Sequence, residues 1–273
     1  MPIVQSSNFV LSDSTPAFPV TADHPVVGYH NLVTATNVVA THADANYPVS
    51  NLGNPATHLD WRSDDDGTQY LTVTTDYVDE IDYLAIAGHN LGSDQIPASI
   101  EGYIGGSWTE LVAEQTFATD SPILFRFTAQ SLSDIRLKMV APTSKFPRVA
   151  VMYVGKLLTL PRKLWVGHTP INQGRKTEIL FGRSESGKFL GRVQIGEWRE
   201  TVIPLSLIDP EWYRDYGGDA FLAASALTPF FFGWRPESYP NEVGYCWTTE
   251  DPMPVPTSSG NLIAFDIKVS GVA

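Results

Sequence analysis

The chain is expected to be mainly β. Three observations point there: short apolar runs recur between turn clusters, 21 glycines and 20 prolines punctuate the chain, and one run alternates cleanly. That run is DIRLKMV (134–140), in which Ile135, Leu137 and Met139 face one way and Arg136 and Lys138 the other. The 273 residues, 43% of them apolar, suffice for one large β unit or two ordinary ones, each with its own core.

Residues 1–30 show little period, and SDSTPAFPVTADHP carries three prolines. This stretch reads as an extended N-terminal arm that must lean on something else to be ordered. From 31 to 158 the strands are YLTVTT (70–75), IDYLAIA (81–87), SIEGYI (99–104), ILFRF (123–127), DIRLKMV (134–140) and RVAVMYV (148–154). Their even spacing predicts an antiparallel sandwich. Within 81–87, Ile81, Tyr83, Ala85 and Ala87 are expected on one face, with Leu84 and Ile86 on the other.

The pattern breaks at GKLLTLPRKLW (155–165), a boundary between two β units. Beyond it come TEILFG (177–182), LGRVQIG (190–196), ETVIPLSLI (200–208), PFFFGW (229–234) and NLIAFDIKV (261–269). One helical insertion is predicted near 210–227, because Asp209 is a good N-cap, Pro210 suits the first helical position, and GDAFLAASAL is rich in Ala and Leu. The second unit, 159–273, is thus β with one helical insertion.

The formal charge is −12, from 30 acidic and 18 basic residues. Such a surface repels nucleic acid, which argues against stable binding while suiting a surface past which DNA must slide. The one cysteine, Cys246, excludes an intrachain disulfide. MPIVQSSNFV lacks the basic start and apolar core of a signal peptide. No apolar run approaches the ~20 residues that span a bilayer. Synthesis in the cytoplasm without a membrane span is therefore expected.

The motifs that could carry chemistry do not hold up. GRSESGKF (182–189) has the G-x-x-x-x-G-K spacing of a phosphate loop, but Phe189 stands where a hydroxyl should hold magnesium. The next residues, LGRVQIG, alternate as a strand, so a polar β-hairpin loop is the expectation. RSDDDG (62–67) clusters carboxylates without the full spacing of a calcium loop, and reads as a solvated turn. The six histidines show no H-x-x-x-H spacing, and Cys246 between Tyr245 and Trp247 reads as a buried thiol. No catalytic residue, metal ligand or cofactor is expected. The stretch LAIAGHNLGS (84–93) looks like a site, yet without a partner for His89 it reads as a corner, with Gly88 freeing the backbone and Asn90 capping the turn. Trp61, Tyr70, Tyr103 and Trp108 fall near turns where a sugar could stack; plugging of the core by Trp61 and Trp108 is the competing expectation.

Several stretches resemble discoidin-like, galactose-binding-type jelly rolls: ANYPVSNLGNPATHLDWRS (45–63), QYLTVTTDYVDEIDYLAIAGHNL (69–91), IEGYIGGSWTEL (100–111), and the closing RLKMV and PRVAVMYVG. In the second half, IPLSLIDPEWYRDYGG, FFFGWRPESYPNEVGYCW (230–247) and IAFDIKVSG are similar in style to distal-tail and tail-tip proteins of long-tailed bacteriophages. The resemblance implies a discoidin-like jelly-roll sandwich followed by a tail-tube-like, β-barrel-like domain. The chain departs from the commonest distal-tail order, in which the barrel comes first.

The resulting expectation is a structural virion protein, not an enzyme, forming a ring (hexamer or trimer) of its own copies where the tail tube meets the tip. Other tail proteins would be its neighbours, DNA would pass through the ring, and the arm would lie on a neighbouring copy. The alternative is a carbohydrate-binding protein that recognises a cell-surface glycan. Candidate glycan or partner-contact residues are Trp61, Arg62, His89, Asn90 and Trp108.

Overall fold

The computed structural model describes residues 2–12, 14–164, 167–257 and 261–273. Trp165, at the end of the expected boundary, lies outside the described residues. The strands run β1 (Ile3–Gln5), β2 (Val26–Gly28), β3 (Val38–Ala40), β4 (Trp61–Arg62), β5 (Thr68–Thr74), β6 (Glu80–Ala87) and β7 (Ala98–Ile104). They continue with β8 (Ser107–Gln115), β9 (Ile123–Ser131), β10 (Asp134–Val140), β11 (Arg148–Val149), β12 (Val151–Gly155) and β13 (Leu158–Thr159). The second half adds β14 (Arg175–Arg183), β15 (Phe189–Ile208), β16 (Phe230–Gly233), β17 (Val243–Thr248), β18 (Val255–Pro256) and β19 (Ile263–Val272). Helices α1 (Pro210–Asp215) and α2 (Gly218–Ser225) sit between β15 and β16.

The strands stack in layers. A five-stranded sheet, β3-β5-β10-β7-β8, faces a four-stranded one, β1-β9-β6-β12, and together they form the sandwich. The period-two pattern decides the inner face: Leu71 and Val73 of β5 and Ile135, Leu137 and Met139 of β10 point into one core with Trp61, Phe125 and Phe127. The third layer is an eight-stranded sheet with the order β13-β2-β16-β17-β19-β15-β14, with β18 also on β19. One of its faces packs on the outside of the four-stranded sheet through Val26, Phe231, Val243 and Tyr245 against Tyr83, Ala85, Val151 and Tyr153. Its other face buries Phe230, Phe232, Ile203 and Ile267 under Trp212 of α1 and Phe221 of α2.

The four-stranded sheet is therefore covered on both sides, which is why every residue of β6 after Glu80 is buried. A register shift between Ile81 and Tyr83 corrects the expected face assignment: Ile81 joins Leu84 and Ile86 in the sandwich core, and Tyr83, Ala85 and Ala87 face the third layer. The α1 start is as the residues require, with the Asp209 carboxylate accepting from the Glu211 N–H at 2.8 Å and Pro210 next.

Residues 1–30, expected as an extended arm, hold two short strands that pair within this chain, while the described residues of 7–19 are exposed or half-buried. β1 pairs in parallel with β9, β2 pairs with β13 and β16, and both Ile3 and Val26 are buried between the layers. Asp23, between them, anchors the chain. Its carboxylate accepts from Arg235 at 2.7 and 3.0 Å, from Ser238 and from Lys163. Burial works to raise its pKa, but these donors outweigh it and hold it at about 2. The stretch 1–30 thus gives one strand to each β unit, and the pairing β2–β13 crosses the 158/159 boundary.

Candidate functional site

Four of the five candidate residues meet at one end of the sandwich. Trp61 is fully buried, and its indole N–H donates to the His42 carbonyl at 3.0 Å. It fills the core end, so no ligand can stack on it. Arg62, next along, points outward, stacks 3.6 Å above the Tyr47 ring and pairs with Asp60 at 2.9 Å.

His89 and Asn90 build the corner. His89 is buried, its Nε2 lies 2.9 Å from the Ser121 carbonyl, and its Nδ1 accepts from the Leu91 N–H at 3.2 Å. That pair of bonds requires the neutral tautomer with the proton on Nε2. Burial lowers its pKa to about 4, against the raising effect of the Ser121 bond, so the ring stays neutral at physiological pH. Asn90 donates to Asp94 at 2.6 Å and to the Phe146 carbonyl at 2.9 Å, and accepts from the Arg148 N–H at 2.9 Å. Gly88 enters this corner with φ +65°, and a Cβ there would come within 2.8 Å of Ala150.

A polar cleft of about 420 Å³ opens beside the corner, lined by His58, Asp60, Arg62, His89, Asp120 and Arg148. Its carboxylates are engaged: Asp120 accepts the Gly92 and Ser93 N–H groups at 2.9 Å, and Asp60 holds Arg62. Among the described residues no group of three His, Cys, Asp or Glu side chains could hold a metal ion. In RSDDDG, Asp64 and Asp65 stand 3.5 and 3.7 Å from His42, and Asp66 accepts the Ser144 N–H.

Trp108 lies elsewhere, on the outer face of the five-stranded sheet. There the Arg136 guanidinium sits 4.0 Å from both the Tyr70 and the Trp108 rings, fixed by Glu101 at 2.6 Å. Tyr103 meets Trp108 edge to face at 5.3 Å. The period-two alternation of β10 produces this platform: the face opposite Ile135, Leu137 and Met139 presents Arg136 and Lys138 to the flanking strands.

The sequence patterns give one further feature's two strands and polar loop, but not that it stands free of the sheet. β14 and the first half of β15 form a hairpin that leaves the eight-stranded sheet, because β19 pairs with β15 only from Arg199 onward. Its nine-residue β14 strand spans roughly 30 Å at ~3.3 Å per residue. GRSESGKF closes it as a polar turn, with the Ser184 N–H donating to the Lys188 carbonyl at 2.9 Å. Ile179, Phe181 and Phe189 share one face, and Leu180, Leu190 and Val193 the other; all are exposed, Leu190 at 68%. The signal was present in the sequence: ILF (179–181) and FL (189–190) break the alternation that a half-buried strand needs.

About half of the chain is distantly similar in structure to carbohydrate-binding modules. The family 32 module from Clostridium perfringens NanJ, solved with galactose, matches at 18% identity and a TM-score of 0.38, over 43% of this chain and 90% of that one. A second C. perfringens module, solved with GalNAc-β-1,3-galactose, matches at 12% identity and a TM-score of 0.38, over 43% and 93%. Chitosan-binding module 1 from a Paenibacillus sp. IK-5 chitosanase/glucanase matches at 17% identity and a TM-score of 0.38, over 46% and 98%. No family model and no curated protein sequence matches the chain.

Proposed function

We propose that this chain is a non-catalytic structural protein that assembles with copies of itself, built into the tail of a long-tailed phage at the distal end. The observation that carries the assembly reading is the β14–β15 hairpin, apolar on both faces and unsupported by its own body. A two-stranded ribbon alone is marginal in water. Each large apolar side chain moved from water into an interface is worth roughly 1.5–3 kcal/mol. The virion location rests on the sequence resemblance of the second half. In this reading the protein is made in the host cytoplasm, its ring is a hexamer or trimer, other tail proteins cover its two ends, and acidic residues line the channel for passing DNA. No helix among the described residues is long and apolar enough to cross a membrane.

Mass photometry of the purified chain tests this. A concentration-dependent series ending in a discrete oligomer is the expected result. A monomer at every concentration, alone and with the neighbouring tail proteins, would sink the reading.

A second reading, carbohydrate binding, is supported by the Tyr70–Arg136–Trp108 platform beside Tyr103. Aromatic faces and a fixed guanidinium suit the C–H faces and hydroxyls of a sugar. Binding on a glycan array that disappears with Trp108→Ala supports it; an array unchanged by that substitution counts against it.

A further inference from the structure

We infer that the hairpin of one copy seats on the far end of β19 in a second copy, a head-to-tail contact between two different surfaces. This contact rests on the assembly reading and adds the receiving face. The hairpin leaves the sheet where Arg199 pairs with Gly271, at the end of β19. At the start of β19, roughly 27 Å away at ~3.4 Å per residue, Ile208 and β18 flank Ile263. There Leu207, Met253 and Val255 are exposed, Met253 at 79%. Asp209 and Asp266 lie on or next to the paired strands, and Asp251 lies four residues before Val255. Arg162 and Lys163 line the cleft beside Leu207 and Asp209.

Charge matches the two ends. Of the chain's 18 basic and 30 acidic residues, six and three lie within 175–199, which leaves 12 and 27 for the rest. The hairpin is thus a cationic, apolar projection on an anionic body, and its attraction is toward the body of another copy. Like-with-like pairing of two hairpins would instead set Arg183, Lys188 and Arg192 against their own copies.

Backbone bonding agrees. Among the described residues β14 pairs with β15 alone and β18 with β19 alone, so each presents an open edge to a strand from outside. Leu207 adds an independent sign. It sits at the irregularity between Leu205 and Ile208 with φ +57°, a conformation that costs a leucine energy, and it points an apolar side chain outward. A contact between two different surfaces propagates from copy to copy, and closes into a ring if the rotation allows.

Disulfide trapping in the full-length chain tests this. Cys246 is fully buried and its thiol is pushed up to about 12 by burial, so it stays out of the reaction. Leu180→Cys and Val255→Cys chains are mixed under mild oxidation and run on a non-reducing gel. A covalent dimer is expected in the mixture, with little in either variant alone. Assembly accompanied only by Leu180→Cys self-dimers, or by no cross-link, overturns the head-to-tail contact while leaving assembly intact. Failure of both variants and of the parent chain to assemble removes the underlying reading as well. As a second measure, Arg192→Glu should weaken self-association by about tenfold, and Asp251→Arg on the partner copy should restore it. Absence of that rescue also counts against the receiving face.

Discussion

Tyr153 of β12 and Tyr245 of β17 meet edge to face across the junction of the two β units, with ring centroids 5.9 Å apart. Tyr245 also donates its hydroxyl to the Pro55 carbonyl at 2.6 Å, and Tyr153 donates to the Pro229 carbonyl at 3.0 Å. Each tyrosine thereby ties its strand to the other half of the chain. Tyr245→Phe keeps the ring and loses the bond, and should cost about 1–2 kcal/mol. Urea unfolding should show this as a lower midpoint of one shared transition, because both units contribute to the junction core. Two separated transitions would contradict that coupling.

Asp23 provides an acid-sensitive lock. Its folded pKa of about 2 lies below the ordinary 3.8, so its contribution is present above about pH 4 and lost as pH falls toward 2. Asp23→Asn should destabilise the chain by about 2–3 kcal/mol, since it replaces the carboxylate that accepts from Arg235, Ser238 and Lys163 with a neutral amide. Chemical denaturation at pH 7 and pH 3 checks both parts; the variant should lose less than the parent on acidification.

His89 acts at milder pH. The unfolded chain takes up a proton near pH 6.5, whereas the folded imidazole resists until about 4. Stability should therefore fall by an amount of order 3 kcal/mol as pH drops from 6.5 to 4. His89→Gln should flatten that slope in a pH series of thermal melts. An unchanged slope would place the acid sensitivity elsewhere.

The two tryptophans should behave oppositely. Trp61→Ala empties the end of a packed core and should cost about 3–5 kcal/mol. Trp108→Ala removes a half-buried surface ring and should cost about 1 kcal/mol or less. Thermal melts of both variants make the comparison.

Replacing 178–195 by a short turn should leave the melting temperature of the monomer nearly unchanged, since none of the three buried cores draws on these residues. The same variant should fail to assemble in light scattering. A large loss of stability would instead make the hairpin part of the body.

Period-two runs, the Asp209-Pro210 helix start and the polar loop of GRSESGKF were all legible in the sequence, because each is set by residues within a few positions of one another. The corner reading of His89 and Asn90 came from the same local logic. Only the tertiary structure decided what covers each face. Alternation shows that β6 has two sides, but a register shift between Ile81 and Tyr83 moved Ile81 to the other one, and a third layer buried the side that would have met water. The stretch 1–30 offered no local clue to its partners, since its strands gain their bonds from residues more than a hundred positions away. Trp61 and Trp108 look alike in the chain, and their fates diverge because one lies at a sandwich end that needs filling and the other on a sheet face left open. Long-range pairing makes such choices, and sequence spacing does not record it.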